Sequence, residues 1–111
     1  MRQDTIGEFE QCLLIAIIHL DREAYGVTIR HEIERRIGRD VAIGALYTSL
    51  DRLEKKGYVR SAMSEPTAQR GGRSRRYFTL TSAGAEALRQ ARARLERMWK
   101  GLTPQLRKAR P

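Results

Sequence analysis

The sequence predicts a mostly helical α+β fold: a winged helix-turn-helix followed by one long C-terminal helix. Three observations carry this. Helical apolar periods fill residues 8–56, the second and third joined by a tight link after Gly38. Two alternating segments, 58–65 and 75–80, flank a stretch rich in Pro, Gly and Arg and read as a hairpin. A heptad-like stripe then runs from Gly84 to Leu102. At 111 residues, one modest core is expected. Residues 1–80 are read as the winged domain, and 81–111 as a dimerisation helix with a basic tail.

The first helix is expected over residues 8–20. Phe9, Leu13, Ala16, Ile17 and Leu20 share one face, while Leu14, Ile15 and Ile18 form a second apolar face. One face suits the domain core; the surplus face suits a second subunit, with Leu14 and Ile18 as its candidate contacts. After a polar turn at 21–25, the second helix is expected over 27–37, with Ile29, Ile33 and Ile37 in register and Gly38 as its stop. The third, about 42–56, carries the stripe Ile43, Leu46, Leu50 and Leu53 and ends at Gly57. Thr81 is a good N-cap for a fourth helix reaching about residue 102.

Formal net charge is +9, unevenly spread. Residues 1–21 hold one basic and four acidic side chains, residues 58–80 five against one, and residues 81–111 eight against two. A basic C-terminal half favours a polyanionic partner. Cys12 is the single cysteine and lies within an apolar run, so it reads as a small buried residue and no intrachain disulfide forms. That run is far shorter than the roughly 20 apolar residues of a membrane span. The acidic start lacks a signal-peptide pattern. The expected location is the cytoplasm.

The stretch 70–81 is the most informative. Gly71 and Gly72 form a turn ringed by Arg70, Arg73, Arg75 and Arg76, with no acid between residues 66 and 81. Guanidinium forks suit phosphate and base edges, and glycine lets the backbone approach closely. On a winged domain such a tip reaches the minor groove, whose negative potential draws arginine. Arg70 and Arg73 are assigned to the tip, and Arg75 and Arg76 to the strand base near phosphate. Phe78 and Leu80 are expected in the core.

Opposite its leucine stripe, the third helix presents Gly44, Thr48, Asp51, Arg52 and Lys55, flanked by Ala45 and Tyr47. Gly44 and Ala45 permit close approach, Tyr47 and Thr48 offer hydroxyls, and Arg52 and Lys55 suit phosphate. Asp51 would repel phosphate; it either pairs with Lys55 at i,i+4 or accepts from a cytosine amino group.

On the fourth helix, Gly84, Leu88, Ala91, Leu95, Met98 and Leu102 follow a heptad seam beside Trp99. Leu88, Ala91, Leu95, Met98, Trp99 and Leu102 are its expected dimer contacts. A dimer would set two recognition helices about one DNA turn apart, roughly 34 Å. Trp99 serves either as an interface anchor or as a platform for a flat aromatic effector between subunits. His19 and His31 belong to no metal-ligand cluster, and the chain carries no nucleophile motif, P-loop or dinucleotide fingerprint. Neither cofactor nor enzymatic activity is expected.

With these residues placed, the chain closely resembles the PadR family of bacterial transcriptional regulators, in its short form with one C-terminal helix. The matching strings are YGVTI from Tyr25, ALYTSLDRLEKKGYV from Ala45 and RGGRSRRYFTLTSAG from Arg70. The resemblance implies a homodimeric repressor on a palindrome-like operator, with the last helix packed against the partner's first. By that match Tyr47 and Thr48 fall in the recognition helix and the four arginines in the wing. Many relatives carry Thr, Pro and a basic residue where Ala45, Thr48 and Asp51 stand here; these departures bear on the operator sequence and not on the binding mode. Several relatives release DNA on binding phenolic or drug-like molecules. An RNA-binding or ribosome-associated winged protein and a module for an acidic protein partner are the other classes open to such a sequence.

Overall fold

The computed structural model describes residues 5–65, 71 and 73–102. Its order is α1 (Glu8–Leu20), α2 (Gly26–Ile37), α3 (Ile43–Lys55), β1 (Val59–Met63), β2 (Arg76–Leu80) and α4 (Ser82–Trp99). A 3₁₀ turn, Asp21–Glu23, links α1 to α2. This is the expected winged helix-turn-helix with an appended helix.

Helix α1 begins where the Gly7 N–H donates to Glu10 Oε1 (3.1 Å), which satisfies one free backbone donor. Leu13, Leu14, Ala16 and Ile17 are buried, while Ile15 and Ile18 stay on the surface. The apolar surplus of this helix therefore exists but is narrower than expected. Leu14 is fully enclosed by the chain's own core, so it offers nothing to a second subunit.

Helix α2 starts with a reciprocal cap. The Tyr25 N–H donates to Thr28 Oγ1 (3.0 Å), and the Thr28 hydroxyl contacts the carbonyls of Glu23 and Tyr25. It ends at Gly38, whose φ of +67° is the left-handed conformation that glycine adopts without a Cβ penalty. Ile29 and Ile33 are buried as expected; Ile37 is exposed, because the last turn reaches the open rim of an apolar groove between α1 and α2. Ile43 is likewise exposed, standing at the first position of α3 before its stripe enters the core.

Leu46, Leu50 and Leu53 of α3 are fully buried, together with Val59 and Phe78 of the hairpin. Burying each such side chain contributes roughly 1.5–3 kcal/mol against leaving it in water. The two strands pair antiparallel in the register Val59↔Leu80 through Met63↔Arg76. Strand β2 is tied on its other side as well: Tyr25 bridges Tyr77, and the Phe78 N–H donates to the Ala24 carbonyl (2.9 Å). The wing thus joins the α1–α2 connection to the C-terminal end of α3.

Thr81 caps α4 as expected, accepting from the Gly84 N–H (3.0 Å) and donating to the Gly57 carbonyl (2.6 Å). The first half of α4 packs on the domain itself. Gly84 and Ala91 are buried, and Ala87 and Leu88 lie against the core. This corrects the reading of Gly84 and Ala91 as an intersubunit seam: the early part of the stripe is covered by its own domain. A Cβ at Gly84 would come within 2.2 Å of the Tyr58 carbonyl oxygen, which is backbone and cannot swing aside. Gly84→Ala is accordingly expected to destabilise the fold by about 1–3 kcal/mol, read as a lower urea midpoint with an unchanged denaturant slope.

Candidate nucleic-acid interface

Because α3 buries one side, its other side is turned outward. Gly44, Ala45, Thr48, Asp51, Arg52 and Lys55 are all exposed. Gly44 has open space around it, and the Thr48 hydroxyl donates to the Gly44 carbonyl (2.9 Å). Tyr47 differs. It is half-buried, its ring lying over Gly26 so closely that a Cβ there would meet its hydroxyl oxygen at 2.3 Å. Glycine at the first position of α2 is what lets the helix-turn-helix close around Tyr47.

The wing's described arginines have separate environments. Arg73 is exposed beside Gly71, whose φ of +65° forms the turn. Arg75 lies over the Tyr25 ring (4.3 Å to its centroid), and Tyr25 meets Tyr77 edge to face at 5.4 Å. Such stacking fixes a guanidinium plane without using its N–H groups. A hydrogen bond with Tyr77 raises the Arg75 pKa. Between the wing and α3 opens a cleft of about 630 Å³ bordered by Tyr25, Val27, Tyr47, Arg73, Arg75 and Arg76. Arg70 and Gly72 lie outside the described residues.

Arg76 departs from the expectation of a phosphate contact. It shares the inward face of β2 with Phe78, and its guanidinium sits 4.8 Å from that ring centroid. Nη1 contacts Asp51 Oδ1 (2.8 Å), Nη2 donates to Glu54 Oε1 (2.6 Å), and Nε donates to Ser61 Oγ (3.1 Å). Burial opposes its charge, but the hydrogen bonds of Asp51 and Glu54 outweigh this and raise its pKa. Asp51 therefore pairs across to the wing, not with Lys55 along its own helix.

Sequence reasoning missed Tyr25 and Val27 as walls of the cleft, and Glu54 and Ser61 as partners of Arg76. For Arg76 the signal was present: it stands two residues before Phe78, so strand alternation puts both on one face. For Tyr25 none was, since its place depends on a bridge across the fold.

Apart from this cleft, α1 and α4 border an open groove of about 460 Å³. Ile15, Ile18, Leu88, Leu95 and Trp99 line it, with Arg89, Arg92 and Glu96 at its edge. Leu95, Met98, Trp99 and Leu102 are all exposed large apolar side chains. Among the described residues there is no group of three or more His, Cys, Asp or Glu suited to a metal, and no helix long and apolar enough to cross a membrane.

Comparison with known proteins decides the family. Residues 14–90 match the transcriptional regulator PadR-like family, spanning α1 to the middle of α4. The chain belongs to the PadR-like family. It is 35% identical over 94 residues to the transcriptional regulator Rv3488 of Mycobacterium tuberculosis, covering 82% of this chain and 83% of that protein. A solved transcriptional regulator from Clostridium thermocellum superposes with a TM-score of 0.69 at 26% identity, over 86% of this chain and 89% of that one. A PadR-like transcription factor from Bacteroides fragilis gives 0.64 at 27% identity, over 90% and 87%. This PadR-like chain is thus a winged helix-turn-helix, DNA-binding regulator of transcription.

The Glu54 carboxylate accepts from the Ser61 hydroxyl (2.9 Å), from Arg76 and from the Ser61 N–H (3.1 Å). The Ser61 hydroxyl first, then Arg76, holds its pKa below the ordinary glutamate range. A carboxylate depressed on folding stabilises above its unfolded value and loses that contribution as pH falls through its folded value. Urea melts taken from neutral pH down to about pH 3 are expected to show stability falling, with a shallower fall in Glu54→Gln; equal slopes would mean the network contributes nothing.

Proposed function

We propose that this protein is a homodimeric, sequence-specific repressor that binds a palindrome-like operator in the cytoplasm. Each subunit lays α3 in the major groove, with Gly44 and Ala45 allowing approach, Tyr47 and Thr48 facing base edges or phosphate, and Arg52 and Lys55 on the backbone. In this reading Arg70 and Arg73 of the wing meet the flanking minor groove, and Arg75 lies nearer phosphate. The observation behind this reading is the cleft between α3 and the wing. It brings Tyr47 of α3, whose neighbouring outward residues are exposed and polar, beside Arg73 and Arg75 of the wing.

The dimer follows from the groove between α1 and α4. Ile15 and Ile18 on α1, with Leu95, Met98, Trp99 and Leu102 at the end of α4, remain open around the groove. Those side chains are the contacts proposed for the second subunit, with Leu88 at the floor. Trp99 borders the same groove, where a flat aromatic effector would stack if one acts on this repressor.

The discriminating experiment is competition binding among a duplex selected from genomic fragments, a scrambled duplex and single-stranded RNA. A regulator prefers the selected duplex strongly; equal affinity for all three would support a general nucleic-acid binder instead. Arg70→Ala with Arg73→Ala is expected to lower the salt dependence of duplex binding by about one to two units of slope, measured by anisotropy titration. Leu95→Glu puts a carboxylate into the proposed interface, so light scattering should find a monomer; an intact dimer would remove this face from the assembly.

A further inference from the structure

We infer that Arg76 is a positioning residue that locks the wing to the recognition helix, and not a phosphate contact. This rests on the DNA-binding reading above and goes beyond it, because it separates one wing arginine from the rest by role.

The geometry is a three-way clamp. A guanidinium offers five N–H groups in a rigid fork. Arg76 spends its three nitrogens on three acceptors: Asp51 and Glu54, one helical turn apart on α3, and Ser61 on the neighbouring strand β1. Ser61 closes the circuit, donating both its hydroxyl and its N–H to Glu54. Phe78 beneath keeps the guanidinium from swinging. With only 28% of its side chain accessible, Arg76 adds a polar tie to α3 for a short hairpin whose Val59 and Phe78 already sit in the core. A two-stranded hairpin is marginal in water unless something packs on it. Here the clamp fixes its angle to α3, and so the distance from helix to wing tip.

The clamp also settles the charge problem on α3. Asp51 is 59% accessible and lies on the outward side with Thr48 and Lys55, where a bare carboxylate would repel phosphate. Arg76 compensates it from the wing side. A lysine could supply the charge but not the fork, which makes the two roles separable.

The test uses the full chain with Arg76→Gln, Arg76→Lys and Asp51→Asn, the last at an exposed position where unfolding is not expected. Two readouts are needed: hydrogen exchange at the Ser61 amide, with the Phe78 amide as reference, and binding to a genomically selected duplex of about 30 base pairs over a salt series. The clamp predicts faster Ser61 exchange in all three variants, about tenfold in both Arg76 variants. It predicts duplex affinity about five- to tenfold weaker for both Gln and Lys, with the wild-type salt slope retained. Wild-type affinity in Arg76→Lys would overturn the proposal, as would a slope lower by about one in Arg76→Gln. So would unchanged Ser61 exchange in the variants. If the wild-type chain binds no duplex at all, the DNA-binding reading itself fails, a result distinct from any of these.

Discussion

The burial of Leu46, Leu50 and Leu53 against α1 and the hairpin is the constraint from which the rest of the molecule takes its orientation. Those three side chains fix the rotation of α3 about its axis. Once they point inward, Gly44, Thr48 and Lys55 must point out. Phe78 and Val59 enter the same core, so the wing is referenced to the same apolar cluster as the helix beside it. The DNA-binding surface proposed for these two separate elements needs their relative placement to be fixed, and one shared core does this with few residues.

Electrostatics then refines what packing sets. A high arginine count in the wing does not make every arginine a contact. Arg75 lies over the Tyr25 ring and hydrogen-bonds Tyr77, while Arg76 is turned inward to two carboxylates and a serine. Elsewhere, Glu32 is buried in the middle of α2 with Arg35 and Arg36 of its last turn as partners, and their hydrogen bonds, Arg36 first, lower its pKa. Lys56 reaches Glu10 (3.3 Å), tying the end of α3 to the start of α1. Acids in this basic chain therefore do structural service, and the net positive charge is left on the outer surfaces.

Much of the architecture was legible because local chemistry and tertiary need agree. The helix of residues 8–20 has the limits its periodicity sets, Gly38 and Gly57 stop helices with positive φ, and Thr81 caps α4 through its hydroxyl. What escaped was the identity of the neighbour covering each face. Leu14 and Ile18 look equivalent on a helical wheel, yet the core encloses the first and leaves the second open. The stripe on α4 is continuous in sequence, but Gly84 and Ala91 meet their own domain while Leu95 and Met98 do not. Asp51 finds Arg76 rather than Lys55 because the hairpin returns alongside α3, a long-range event that spacing does not encode.

The open apolar residues of α1 and α4 and the arginine-lined cleft are separate surfaces, so in the proposed dimer joining copies through the first would multiply the contacts made by the second. Hydroxyl-radical footprinting on a selected genomic duplex tests this most directly. Two symmetric protected patches, centred about one helical turn apart, are the predicted result. A single unsymmetrical patch at saturation would contradict the paired arrangement.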